Sequence, residues 1–149
     1  MRLKRSIAEY YLMDIRRYQS MIHSMCGELA DLRVSCGGLK GIVYDGIKVQ
    51  TSGVSSPLET AYINMQGRID KLNHDIAELV AEKSLRIDQI RSMEPCEYSQ
   101  VLELIFVDGK TYIQVMDAMN IREQKFWTLR RKALNAFAEK YSNCVDKRR

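Results

Sequence analysis

The chain has 149 residues, enough for one or two small domains, and 46% of them are hydrophobic, enough to pack a core. Two prolines and eight glycines, with abundant Leu, Ile, Met, Glu, Lys and Arg, point to an all-α protein. The net charge of +4 is unevenly spread: residues 110–149 carry ten Lys/Arg against four Asp/Glu, leaving the rest slightly acidic, so a polyanion partner is expected at the C-terminal end.

The first predicted element is a long helix. Tyr11, Ile15, Tyr18, Ile22, Met25, Leu29, Leu32 and Cys36 step by four and three in alternation, the heptad signature of a coiled-coil seam. Charged residues such as Arg16, Arg17, Glu28, Asp31 and Arg33 fall off that seam. Gly37 and Gly38 suit a left-handed C-cap, so the helix is expected to stop there.

The connection that follows, GGLKGIVYDGIKVQTSGVSS, contains IVY-DG-IKV, which reads as a small β-hairpin turning at Asp45-Gly46. A Gly/Ser linker is the equal alternative. Ser56 then offers an N-cap, Pro57 the first helical residue and Glu59 a capping-box carboxylate. The second seam runs Leu58, Tyr62, Met65, Ile69, Leu72, Ile76 and Leu79. It is expected to shift register near Val80, like a stutter, and to continue through Lys83, Ile87 and Ile90. Pro95 should end the helix before it. The two seams fit an antiparallel helical hairpin over residues 1–94, although pairing between chains would use the same faces.

Residues 95–149 change character. EYSQVLELIFV is a compact amphipathic helix with Val101, Leu102, Leu104, Ile105 and Phe106 inward, broken by Asp108-Gly109. Thr111 N-caps the next helix, with Gln114 as its capping-box partner and Tyr112, Val115, Met116 and Met119 as its apolar face. Asn120 tolerates the left-handed turn. A longer basic helix follows, its inward stripe drawn from Phe126, Leu129, Ala133, Ala136 or Phe137, and Tyr141. Trp127, beside that stripe, is expected to pack into the core against the first helix of the module, with the edge of a bound nucleic acid as the alternative. Two short helices, a tight turn and a basic helix make a helix-turn-helix. The GKT of residues 109–111 does not make a phosphate-binding loop, because the glycine needed five residues earlier is Leu104.

EYSQVLELIFVDGKTYIQVMDAMNIREQKFWTLRRKAL resembles region four of bacterial sigma factors, with its VLxLRYxEG helix, its IAxxLG helix and a recognition helix ending in RAL. Among families with this module it is most similar to phage-encoded transcriptional regulators of the RinA/ArpU type, in which Phe126, Trp127, Leu129, Lys132, Ala133 and Leu134 fall on a VYxLxxRAL pattern. The likeness covers the C-terminal module closely and the helical N-terminal half loosely. It implies promoter binding or association with bacterial RNA polymerase in phage late transcription. Two positions depart from the pattern: Met116 replaces a small residue that keeps helices close, and Asn120 replaces the turn glycine.

A recognition helix lays its N-terminal residues in the major groove of double-stranded DNA. The outward face carries Arg122, Gln124, Lys125, Thr128, Arg131 and Lys132. Gln124 suits adenine and Arg122 or Lys125 guanine, while Arg131 and Lys132 suit phosphates. Lys110 and Thr111, at the preceding helix N-terminus, suit a phosphate too. The alternatives are a small terminase subunit and a polymerase-binding adaptor that does not touch DNA.

No secretory leader or membrane segment is visible, and the four cysteines form no CxxC pair, so reduced thiols in a cytoplasm are expected, which the resemblance implies is that of a bacterial host. Ile22 and Met25 take the seam, which leaves His23 on a helix flank, and His74 between Leu72 and Ile76 should point away, so a four-ligand metal site with Cys26 and Cys36 is not expected. No nucleophile, base and orienter come together, so neither an enzyme nor a cofactor is expected. The coiled-coil half would supply either dimerisation, as a homodimer, or the contact with polymerase.

Overall fold

The fold is seen in a computed structural model that describes the backbone of residues 2–44 and 57–147, and the side chains of 5–38 and 57–147. All regular structure among the described residues is helical. Two long helices, α1 (Arg2–Tyr44) and α2 (Pro57–Arg91), precede α3 (Cys96–Leu102), which runs on as a π-helical turn (Glu103–Val107). Then come α4 (Tyr112–Met119), α5 (Glu123–Lys140) and the short α6 (Ser142–Asp146). No helix of the described residues is long and apolar enough to cross a membrane.

The chain forms two compact units. One holds residues Met21–Val80, where α1 and α2 run antiparallel. Its core is the predicted seam: Leu29, Cys36, Ile69 and Leu72 are buried, with Met25, Leu32, Tyr62 and Ile76 packed against them. Burial at alternating steps of four and three follows from helical geometry, since only residues on one stripe reach the partner. The exposed Arg68–Glu28 pair, 2.5 Å long, adds little.

α1 does not stop at Gly37-Gly38 but continues to Tyr44. A glycine inside a helix costs about 1 kcal/mol relative to alanine, which weakens a helix without ending it. Cys36 is still buried at that point, so the pairing extends up to the glycines. Ile42, Val43 and Tyr44, expected as a β-strand, are therefore helical. The Asp45-Gly46 turn, the strand after it and Ser56 lie outside the described residues. Pro57 does open α2, with Glu59 in its first turn.

The other unit joins Met1–Ser20 to Ala81–Arg149. A single cluster brings Leu12 and Ile15 of α1, Ile90 of α2, Val101, Leu102 and Phe106, Val115 of α4, and Phe126, Leu129, Ala133, Leu134 and Phe137 of α5 together. Burying each large side chain in such a cluster stabilises by about 1.5–3 kcal/mol. The expected inward residues of α3 and the long stripe of α5 are thus in place, with Leu104 and Ile105 half-buried.

Here the α2 seam brings a correction. The steps of four and three continue unshifted from Leu79 through Lys83 and Arg86 to Ile90, and Arg86 is buried. No register shift is needed; an arginine occupies the seam. Its Nη1 donates to the Tyr11 backbone carbonyl (2.7 Å) and to Asp14 Oδ2 (3.0 Å), and its Nη2 donates to the Tyr18 hydroxyl (3.1 Å). The guanidinium also lies 4.0 Å from the Tyr11 ring centroid and 4.8 Å from that of Tyr18. A charge taken from water needs this degree of pairing to be tolerated. Only Nε of Arg86 lacks a partner among the described residues.

Candidate nucleic-acid interface

The surface in question is built by two turns and the helices they separate. The π turn ends at Asp108, whose N–H donates to the Glu103 carbonyl at 3.0 Å. Gly109 then takes φ +64, a conformation that favours glycine, and the Lys110 N–H reaches back to the Leu104 carbonyl at 3.0 Å. This closure also leaves room for α1: a Cβ on Gly109 would run into the Arg16 guanidinium.

Thr111 starts α4 with a complete capping box. Its hydroxyl accepts from the Gln114 N–H (3.4 Å), and Gln114 Oε1 accepts from the Thr111 N–H (3.0 Å). α4 ends where Asn120 adopts the left-handed conformation, φ 52 and ψ 50. The Asn120 N–H donates to the Asp117 carbonyl and the Ile121 N–H to that of Met116, at 3.3 and 3.1 Å, which is a Schellman closure. Arg122 is the extended N-cap of α5 and makes no side-chain cap. Its carbonyl accepts from the Phe126 N–H at 3.0 Å, the first turn of α5. A short helix, a left-handed turn and a longer helix follow one another as the sequence indicates. Met116 is accommodated half-buried at the margin of the core, while Val115 behind it is fully buried.

The structure places the eight residues expected at DNA as follows. Lys110, Thr111, Arg122, Gln124, Lys125, Arg131 and Lys132 are exposed, and Thr128 is half-buried. Arg122, Gln124, Lys125, Thr128, Arg131 and Lys132 lie on α5 or its N-cap and line the side opposite Phe126, Leu129 and Ala133. Lys110 and Thr111 lie at the start of α4. None of Lys110, Arg122, Lys125, Arg131 and Lys132 forms an ion pair among the described residues. Two hydroxyls are already engaged. Thr111 caps α4, and Thr128 Oγ1 donates to the Gln124 carbonyl at 2.9 Å.

Arg130, by contrast, pairs with Glu9 of α1, so the remaining cation of α5's middle is spent within the fold. Tyr112 and Trp127 correct the sequence reading. Tyr112 is 43% and Trp127 47% exposed, rather than inward. Trp127 meets Phe126 edge-on at 5.0 Å and Tyr112 at 5.8 Å, and its Nε1 donates to Glu123 Oε1 at 3.3 Å. Phe126 takes the core position, which turns its neighbour Trp127 outward by one helical step. The repeated four-residue spacing from Glu123 to Trp127 to Arg131 was the available sign.

The two histidines sit on exposed helix flanks, His74 3.2 Å from Glu78. Tyr11, in the same unit, has a displaced titration. Burial raises its pKa, partly opposed by the Arg86 charge and by the Gln89 hydrogen bond at 2.9 Å.

By its match over residues 44–138, the chain belongs to the family described as Protein of unknown function (DUF1492). No curated protein and no solved structure matches it.

Proposed function

We propose that this member of the DUF1492 family is a sequence-specific regulator of transcription that binds double-stranded DNA through α5. The observation that carries the reading is the exposed side of α5, where Arg122, Lys125, Arg131 and Lys132 have no acidic partner among the described residues, after the left-handed turn at Asn120. Unpaired cations on one helix face repel one another unless a polyanion neutralises them, and DNA phosphates release condensed counterions when they do. The helix N-terminus adds partial positive charge at the end that enters the groove. Gln124 and Lys125 are the base readers in this proposal, Arg131 and Lys132 the phosphate contacts, and Lys110 with the free amides of α4 a further phosphate contact.

The resemblance to region four of sigma factors extends the proposal to phage or prophage late genes and to bacterial RNA polymerase as a partner. In the structure the seams of α1 and α2 pair within the chain. A homodimer through this half would therefore need exchange of helices or use of the outer faces, where Val34 and Ile63 are exposed. Gel shifts against a randomised duplex pool at low salt, followed by footprinting with and without polymerase, test the reading. Retention and enrichment of a common site support it. A chain that binds polymerase but no duplex overturns it in favour of an adaptor, and a large ring in solution overturns it in favour of a packaging subunit.

A further inference from the structure

Trp127 is the chain's one tryptophan, and its exposure is not explained by the fold. Isolated apolar residues on a surface are ordinary. Here Tyr112 (43% exposed), Ile113 (53%) and Trp127 (47%) occur together, on the first turn of α4 and the second turn of α5. The rings of Tyr112 and Trp127 are 5.8 Å apart, and the indole is held from below by Phe126 and from the side by Glu123. The position of this ledge is specific. On α5, Trp127 follows Gln124 by three residues and precedes Arg131 by four, so it shares their face. Lys110 stands just before Tyr112, and the Arg130 guanidinium lies 6.0 Å from the indole centroid.

An apolar ledge bordered by cations suits a polyanion that carries an apolar group within reach. The edges of base pairs in the major groove offer one, the C5-methyl of thymine. Resting on the DNA-binding reading above, we infer that Trp127, backed by Tyr112, is a specificity residue that packs on a thymine methyl next to the bases read by Gln124 and Lys125. The Glu123 carboxylate positions the indole through the Nε1 hydrogen bond and does not itself need to touch DNA. The same ring neighbours the phosphate-directed Arg131, so the thymine contact and the backbone grip are set by one helical turn.

The test uses the intact chain and the duplex it selects from a randomised pool. Each thymine of the selected site is replaced in turn by uracil, which lacks only the methyl group. One replacement should weaken binding about fourfold, the worth of one buried methyl-sized group. Trp127 fluorescence should change on adding the selected duplex. In Trp127→Ala the uracil effect should vanish while the salt dependence is kept, and in Trp127→Phe part of the uracil effect should remain. A selected site without thymine overturns the inference. So does a site at which no uracil replacement matters, or a uracil effect undiminished in Trp127→Ala. In each of these cases the DNA-binding reading itself survives. A chain that retains no duplex overturns both.

Discussion

Single residues separate the two kinds of charge in this protein. Arg131 and Arg86 are chemically identical, yet one is exposed with no acidic partner among the described residues and the other is buried against Asp14 and two tyrosines. Arg131→Ala should leave stability within about 0.5 kcal/mol, as for most surface changes. It should weaken binding to all duplexes and reduce the salt slope by about one, which a gel shift series across salt concentrations measures. Gln124→Ala should change the preferred site instead, read by repeating the selection. At the buried pair, Asp14→Ala removes the close, buried counter-charge and leaves the guanidinium only the exposed Glu82 carboxylate, 3.9 Å away, among the described residues, which should cost about 3–5 kcal/mol in denaturant unfolding. Asp14→Leu with Arg86→Met should recover most of that loss, because neither partner is then left unpaired. Equal destabilisation by the double replacement would remove the pair from the account of stability. Tyr11 supplies a pH signature. Its pKa is raised by burial, so the folded state holds that proton more tightly than the unfolded chain. Its contribution is fully present below the ordinary tyrosine value near 10 and is lost as pH rises through the folded value. The stability of the wild type should therefore fall more steeply above about pH 10 than that of Tyr11→Phe, compared by denaturant midpoints. Parallel pH profiles would rule this out.

At the scale of elements, the module depends on how α4 begins and ends. The capping box satisfies two backbone groups at the α4 N-terminus, and Thr111→Ala should cost about 1 kcal/mol. That loss should appear in urea unfolding with the slope unchanged. Asn120 holds the left-handed turn, where a β-branched residue such as Val is strained by about 1–2 kcal/mol, whereas Asn120→Gly should be neutral or stabilising. These turns were legible because their chemistry is local: Thr–x–x–Gln and a lone Asn between apolar runs state their own geometry. The end of α1 was not. Two adjacent glycines weaken a helix by an amount that pairing with a partner helix offsets, and the pairing is a property of α2, whose Gln66 meets Cys36 from thirty residues away. The same limit applies to the α2 seam. Arginine at a heptad position signals an exposed flank until the opposite helix is known to carry Asp14, Tyr11 and Tyr18.

For the whole molecule, composition and periodicity were sufficient for the all-α class, the two long seams, and the order of helices from α3 to α5. Those features follow from which residues repeat at three and four, and a repeat is written in the chain. The basic character of α5 was equally plain, since charge needs no fold to be counted. The grouping of packing was not plain. A change of composition marks residue 95, yet the core around Phe126 and Phe137 also takes in Leu12, Ile15 and Ile90, from parts of the chain far off in sequence. Only the tertiary structure decided that Arg130 would be tied to Glu9 while Arg131 stayed free of any acidic partner among the described residues, and that Phe126 would enter the core and leave Trp127 outside. Neighbouring side chains on a helix point about 100° apart, so which of two adjacent residues is buried depends on where the other helices lie.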